Sequence, residues 1–183
     1  MNKNVDVCRK CYEEIRPKFL KFEVMGCKGL SIYDYDDKIQ ALLYQLKGCF
    51  DIELANLFFG RFYRELSIRY KGYILVPAPS YKKDDETREF NHVQEIFKNL
   101  KLPMRNLIIK TKKVKQASGN IGMRRQISNF LELVEKPDLT NKKVLIVDDV
   151  FTTGSTVRAM IELLRKLHPK TIRVLVMSKT VLR

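Results

Sequence analysis

The stretch Val144-Leu-Ile-Val-Asp-Asp-Val-Phe-Thr-Thr-Gly-Ser-Thr156 decides how this chain folds. It opens with a run of branched apolar residues, which is typical of a strand buried on both faces of a sheet. Two adjacent carboxylates, Asp148 and Asp149, follow at the end of that run, and a short turn leads on to Ser155–Leu167, whose apolar residues recur with helical spacing. An apolar segment at 171–177 comes next, so the stretch belongs to a β-α-β unit with parallel strands and a right-handed crossover.

The rest of the chain continues the alternation of strands and helices. Helices are predicted at 36–47, 51–69, 90–100 and 120–133, and strands at 73–79 and 107–109. This order predicts a three-layer α/β fold with a mostly parallel sheet. Residues 1–30 hold three of the four cysteines and lack clear periodicity, so we expect a small N-terminal appendage there and one domain at 31–183.

Length and composition restrict the classes of protein that remain. A chain of 183 residues, 45% of them hydrophobic, can build the core of one ordinary domain. The net charge of +14 predicts attraction to polyanions such as nucleic acid, an anionic membrane surface or phosphorylated small molecules, although a merely basic surface is the alternative.

No apolar run approaches the length of about 20 residues that crosses a bilayer, and the start of the chain lacks the apolar stretch of a secretory signal. We therefore expect a cytoplasmic protein with reduced cysteines.

The turn after the two carboxylates has the chemistry of a phosphate site. Ligands of open α/β sheets bind at the carboxyl ends of strands, and a helix start presents free N–H groups with a partial positive charge that favours phosphate. Gly154 would let the backbone approach the ligand closely. Hydroxyl donors are added by four residues of the loop, Thr152, Thr153, Ser155 and Thr156.

The two carboxylates predict a sugar beside that phosphate. Asp148 and Asp149 would repel a phosphate but accept hydrogen bonds from ribose hydroxyls, so the segment predicts a site for ribose 5-phosphate. The simpler alternative is a loop that only caps the helix through Ser155 or Thr153. The phosphate-loop motif of ATPases and the glycine fingerprint of dinucleotide-binding enzymes are both missing from the sequence.

The segment Val144–Thr156 resembles the signature of the type I phosphoribosyltransferases, which bind phosphoribosyl pyrophosphate (PRPP). The resemblance implies a phosphoribosyltransferase-like fold in which Asp148 and Asp149 contact the ribose hydroxyls and Thr152–Thr156 hold the 5-phosphate. It also implies a divalent metal, usually Mg²⁺, that bridges pyrophosphate and ribose oxygens.

Several weaker motifs resemble the ComF (ComFC) family of competence proteins within that superfamily. They are Cys8-Arg-Lys-Cys11, Tyr33-Asp-Tyr-Asp36, Leu46-Lys-Gly48, Leu75-Val-Pro-Ala-Pro79, Arg88-Glu-Phe-Asn-His92, Lys110–Gln116, Met123-Arg-Arg125 and Phe130. Three features depart from the family pattern: Glu89 stands where the family has glycine, the segment 81–87 carries acidic Asp84, Asp85 and Glu86 where the family is more basic, and the chain has one Cys-x-x-Cys pair where the family usually has two or more.

The resemblance also implies roles for two other loops. Pro79, Ser80, Lys82 and Lys83 would face the pyrophosphate. A flexible loop would close over the ligand and would contain Lys113, Lys115, Gln116, Arg124 and Arg125. Each of these lysines could instead belong to a solvated surface.

The cysteines and histidines give weaker indications. Cys8 and Cys11 have the spacing of half a zinc site and Cys27 could be a third ligand, whereas a closed zinc site needs four. His92 is expected to cap a helix or lie on the surface, with a role as catalytic base left open. His168 is expected at a helix C-terminus.

Three hypotheses about function follow. The first is a PRPP-binding, ComF-type protein that acts in natural competence and DNA uptake, with single-stranded DNA and proteins of the competence machinery as partners. The second is an orthodox transferase that moves phosphoribose from PRPP to a nucleobase or an amine; it is weakened by the short segment after the last strand, which leaves little chain for a base-binding segment. The third is a PRPP-sensing regulator without turnover.

Overall fold

The computed structural model describes residues 13, 15–49, 51–60, 62–80, 90–111 and 130–181. Its strands are β1 (Leu20–Val24), β2 (Cys27–Asp34), β3 (Tyr73–Pro77), β4 (Ile108–Lys110), β5 (Leu131–Leu133), β6 (Lys143–Phe151) and β7 (Thr171–Lys179). Five of them form one sheet in the order β1-β2-β7-β6-β3, and β4 pairs with β5 in a second, antiparallel sheet. Within the main sheet only β1 and β2 run antiparallel, which confirms the mostly parallel sheet.

The helices lie on both faces of the main sheet. They are α1 (Asp37–Gly48), α2 (Ala55–Phe59), α3 (Tyr63–Arg69), α4 (His92–Phe97) and α5 (Ser155–Arg165), with 3-10 turns at Ile52–Leu54 and Lys98–Leu100. Leu145 and Val147 of β6 pack against α1–α4, whereas Val144 and Ile146 pack against α5, because successive strand residues face opposite sides. The three-layer α/β fold is confirmed. Among the described residues, no helix has both the length and the apolar character needed to cross a membrane.

Two predicted helices differ from the structure. The single helix predicted at 51–69 is wrong, since a 3-10 turn and two short helices replace it. Gly60 ends α2, and glycine is a poor helix former by about 1 kcal/mol. The helix predicted at 120–133 is wrong at its end, because Leu131–Leu133 is a strand paired with Ile108–Lys110. The earlier part of that segment lies outside the described residues.

The N-terminal hairpin extends the domain's own sheet. The boundary predicted after residue 30 falls inside β2, which pairs in parallel with β7. Apolar and charged residues alternate along Leu20–Val24, a strand pattern that the prediction overlooked. Gly26, with a φ of +74°, lies in the tight turn between β1 and β2. The described part of the predicted appendage, from residue 15 onward, therefore leads directly into the sheet, and the division into two units stays a prediction for the residues before it.

Candidate functional site

Strand β6 delivers the two predicted carboxylates to the carboxyl edge of the sheet. It lies between β3 and β7, and its residues Val144–Val147 are fully buried. Asp148 and Asp149 follow with 8% and 6% of their surface exposed. Because neighbouring residues of a strand face opposite sides, Asp149 lies on the side of α1 and α4, and Asp148 on the side of α5.

Asp149 is held by two nitrogen groups from distant parts of the chain. Its Oδ2 contacts the Nζ of Lys47, from α1, and lies 3.1 Å from the Nε2 of His92, the first residue of α4. Its Oδ1 accepts the Val150 N–H at 2.6 Å. Burial by itself would raise the pKa of Asp149, but the charge of Lys47 and the hydrogen bond and charge of His92 outweigh it and lower that pKa well below its usual range.

Asp148 has the opposite electrostatics. Its Oδ1 accepts the Asp149 N–H at 2.9 Å. Burial raises the pKa of Asp148 well above its usual range, and the negative charge of Asp149 raises it further. A neutral carboxyl group can both donate and accept a hydrogen bond, whereas an ionised one only accepts. The two neighbouring carboxyl groups therefore have opposite electrostatic surroundings.

The loop after the carboxylates is shaped by Gly154, which precedes the first residue of α5. Its φ of +73° is a left-handed conformation that side chains disfavour, and an added Cβ would lie 2.4 Å from the Phe151 ring. The alternative in which Ser155 or Thr153 caps the helix is wrong, because the N-cap position is occupied by Gly154, which has no side chain. Instead the hydroxyls of Thr153 and Ser155 lie 2.8 Å apart. The helix start is therefore free of the side-chain cap that would compete with a phosphate.

The N-terminal hairpin supports this loop from below. The Phe151 ring packs on Phe22 of β1, with ring centroids 4.6 Å apart. Phe22 in turn lies over Gly29 of β2, where an added Cβ would be 2.4 Å from its ring. Gly29, Phe22, Phe151 and Gly154 therefore form a continuous series of packing contacts. These contacts fix the position of the loop relative to the sheet.

The predicted pyrophosphate segment is described only in part. The Ala78 N–H donates to the Val147 carbonyl at 2.8 Å, which places the end of β3 beside the carboxylates of β6. Ser80 follows, and its Oγ accepts a hydrogen bond from Asn91 Nδ2 at 2.6 Å. The remaining predicted residues of the two loops lie outside the described residues, namely Lys82, Lys83, Lys113, Lys115, Gln116, Arg124 and Arg125.

A cavity of about 250 Å³ opens next to this segment. Amide side chains and apolar groups form most of its wall, including Pro79, Asn91, Gln94, Asn106 and Ile108. Such a mixture of apolar surface and a few hydrogen-bonding groups is typical of sites for small organic ligands.

Sequence reasoning missed two residues of the site. The surface or capping role expected for His92 is wrong, because its side chain is buried and contacts Asp149. Lys47 was noted only within the motif Leu46-Lys-Gly48, without a role. His168, as expected, follows the end of α5 and is exposed.

Zinc and magnesium are the two expected metals, and the described residues suit them differently. Cys8 and Cys11 lie outside the described residues, and Cys27 is buried in β2, where burial raises the pKa of its thiol.

Magnesium prefers several oxygen ligands, yet both oxygens of Asp149 already have protein partners. No group of three or more acidic, histidine or cysteine side chains within the described ranges could hold a metal. The carboxylate of Asp149 therefore does not fit a Mg²⁺ ion bound to it directly.

Sequence comparison matches the region of the site to a known domain family. Residues 90–179 match the phosphoribosyl transferase domain family, a range that includes β6, the loop and α5. The competence protein ComFC of Bacillus subtilis is 27% identical over 152 residues, which cover 82% of this chain and 62% of that protein. Competence protein F of Haemophilus influenzae is 33% identical over 55% of this chain and 47% of that protein. ComFC of Streptococcus pneumoniae is 25% identical over 82% of this chain and 68% of its own length. The chain thus spans about half to two thirds of the length of these relatives.

Solved structures give only a general likeness. A hypoxanthine phosphoribosyltransferase from Staphylococcus aureus is 16% identical with a TM-score of 0.41, covering 68% of this chain and 62% of that one. A purine phosphoribosyltransferase from Pyrococcus horikoshii is 20% identical with a TM-score of 0.40, covering 69% of this chain and 75% of that one. Scores at this level support no inference about the site. Residues 90–179, which include the acid pair, the glycine loop and the helix start, thus match a phosphoribosyl transferase domain, and the chain is similar to competence proteins of the ComF type.

Proposed function

We propose that this protein binds PRPP, or a closely related phosphorylated ribose, at the carboxyl end of β6. One observation carries the proposal: two buried carboxylates in opposite electrostatic surroundings lie near the carboxyl end of a central strand, and a glycine-shaped helix start follows them. The phosphate would lie at the first turn of α5 and the ribose hydroxyls at Asp148 and Asp149. The Mg²⁺ expected with PRPP stays a prediction, and we assign it no protein ligand.

Calorimetry with PRPP tests this proposal. The wild-type chain should bind, and the double variant Asp148→Asn/Asp149→Asn should lose binding because neither amide reproduces the charge pattern of the pair. Asp51→Asn is the matched control, since Asp51 is exposed and makes no capping hydrogen bond at its 3-10 turn. Binding of PRPP by the double variant with unchanged affinity would rule out the proposed site.

We further propose that the bound phosphosugar serves a role in natural competence and DNA uptake, in the cytoplasm. The names of the relatives support this role, and the net charge of +14 favours a polyanionic partner such as single-stranded DNA. Fluorescence anisotropy with a labelled single-stranded oligonucleotide, repeated over a range of salt concentrations, should give binding that weakens steeply with salt. Binding that does not depend on salt, or no binding at low salt, would count against a DNA partner.

A transferase is the second candidate, and the cavity beside Ser80 favours it. In this reaction an acceptor base or amine displaces pyrophosphate from C1 of the ribose, which depends on positioning more than on a protein nucleophile. The side-chain amide groups of Gln94 and Asn106 are the kind that hydrogen-bond a heterocycle. Pyrophosphate release from PRPP in the presence of a panel of nucleobases would support the transferase, and its absence with every base would leave binding without turnover.

A further inference from the structure

Lys47 is the one described residue of the candidate site that comes from outside the matched domain range 90–179 and carries a fixed positive charge. Helix α1, which holds it, is well anchored: Asp36 caps its start, and Ile39, Leu43 and Leu46 are buried against the sheet. A basic residue in the last turn of a helix often only balances the helix dipole. Here the ammonium group instead contacts a carboxylate of β6, a distant part of the chain.

The contact occupies the oxygen that a metal ion would need. Oδ2 of Asp149 is shared between Lys47 Nζ and His92 Nε2, and Oδ1 accepts the Val150 N–H. A divalent cation placed on Oδ2 would come within a few ångströms of the ammonium group. Two like charges at such a distance repel strongly where water is largely excluded, as it is around a carboxylate that is 9% exposed. Lys47 and a metal ion therefore exclude each other at Asp149.

We propose that Lys47 is the built-in counter-cation of Asp149 and takes the place of a divalent metal there. The site consequently holds the ribose-phosphate part of its ligand without Mg²⁺. The inference rests on the proposed phosphosugar site and specifies the class of ligand: compounds with a 5-phosphorylated ribose but without pyrophosphate, such as ribose 5-phosphate, bind in a metal-independent way. Any requirement for Mg²⁺ belongs to the pyrophosphate of a larger ligand.

The first experiment uses a metal alone and is independent of any sugar. Electron paramagnetic resonance of Mn²⁺ reports how much of the ion is bound to the full-length chain. Wild type should bind Mn²⁺ weakly, and Lys47→Met, which keeps the apolar stem but removes the charge, should bind it at least about tenfold more tightly, because the ammonium group no longer repels the ion at Asp149 Oδ2. Lys47→Arg should behave as wild type, and so should Lys166→Met, in which an exposed lysine after α5 is replaced.

The second experiment measures ribose 5-phosphate binding by calorimetry with Mg²⁺ and with a chelator. Wild type should have equal affinity in both buffers, whereas Lys47→Met should lose at least about tenfold with chelator and recover with Mg²⁺. Thermal melts of each variant identify any loss of folding, and Lys47→Gln provides a second neutral replacement.

The outcomes separate this inference from the proposed function. If no variant binds ribose 5-phosphate or PRPP in either buffer, the proposed function is wrong, and the Mn²⁺ measurement still decides whether Lys47 excludes a metal. Tight Mn²⁺ binding by wild type that disappears in Asp149→Asn would overturn the inference. Wild-type binding of ribose 5-phosphate that disappears with chelator would overturn it as well.

Discussion

The acid pair and the loop that follows it are neighbours in sequence, yet they are built in opposite ways. Asp148 and Asp149 are buried, and Asp149 has protein partners on both oxygens. In the loop, Thr152 and Thr153 are exposed, and only Gly154 is buried, on the Phe151 ring. The pair is organised before any ligand arrives, whereas the loop presents donors that a ligand can still use.

This difference teaches which changes should affect folding and which should affect binding alone. Replacing Asp149 disturbs contacts that hold α1 and α4 to the sheet, so it should alter stability as well as binding. Replacing the exposed Thr152 hydroxyl, by contrast, should affect binding alone. Gly154 is the exception within the loop, because its conformation is fixed by the protein.

Gly154→Ala should have the largest effect. The added methyl group meets the Phe151 ring at 2.4 Å, and a φ of +73° strains an alanine, so we expect about 2–4 kcal/mol of lost stability and no PRPP binding. Gly72→Ala is the control: its φ is +82° but nothing lies within 4 Å of an added Cβ, so only the strain of about 1–2 kcal/mol remains. Urea unfolding measures both variants, and equal losses would show that the Phe151 contact contributes nothing.

Asp149→Asn should come next and should differ from Asp148→Asn. It leaves Lys47 and His92 without their charged partner, and we expect about 1–3 kcal/mol of lost stability, less than for a fully buried pair because Lys47 is 34% exposed. Asp148→Asn replaces a carboxyl group whose neutral form is favoured by burial, so its stability near neutral pH should equal or exceed that of wild type. Equal destabilisation of both variants in urea would contradict the distinction between the two carboxylates.

The pH dependence of stability should follow from the opposite pKa shifts. The folded-state pKa of Asp148 is raised, so between the unfolded value of about 3.9 and the folded value the native state holds more protons, and stability falls as pH rises through that window. The folded-state pKa of Asp149 is lowered, so its stabilisation is present above about pH 3.9 and is lost as pH falls toward the folded value.

Unfolding curves collected across this range check both signs. Asp148→Asn should remove the decline in stability within the window above about pH 3.9, and Asp149→Asn should reduce the loss at strongly acidic pH. An Asp148→Asn variant with the same pH slope as wild type would show that this carboxyl group is ionised in the folded protein throughout.

Thr152→Val should have the smallest effect. The substitution keeps the shape of an exposed side chain and removes one hydroxyl donor, so PRPP affinity should fall by about 1 kcal/mol while the melting temperature stays unchanged. Thr171→Val, at the first residue of β7 and the opposite end of the sheet, should change neither quantity. A drop in melting temperature for Thr152→Val would mean that the loop hydroxyl supports the fold itself.

The β-α-β unit around the site was predictable because its signals are local. A long apolar strand and an amphipathic helix with a glycine turn between them specify their structure within about thirty residues. The same local reasoning failed at 51–69, where Gly60 divides the helix, and at Leu20–Val24, where five residues of alternation were too short to outweigh the cysteine-rich composition of the N-terminus.

The partners of Asp149 could not be predicted, because they depend on long-range contacts. Lys47 and His92 lie far from Asp149 in sequence, and each sits in a helix whose pattern explains only its own apolar face. The support of the loop by Phe22 depends likewise on the position of a hairpin that the sequence placed outside the domain. Functional residues that lie within one segment can be predicted from the sequence. Contacts between residues of distant segments can be identified only once the fold is known.

A crystal structure of the protein with ribose 5-phosphate tests the central claim most directly. It should place the phosphate oxygens within hydrogen-bonding reach of the N–H groups at the start of α5, with ribose hydroxyls at Asp148 and Asp149 and with Lys47 still on Asp149. A phosphate bound elsewhere on the basic surface, with Thr152–Thr156 and the acid pair unchanged and unoccupied, would contradict the assignment of this site.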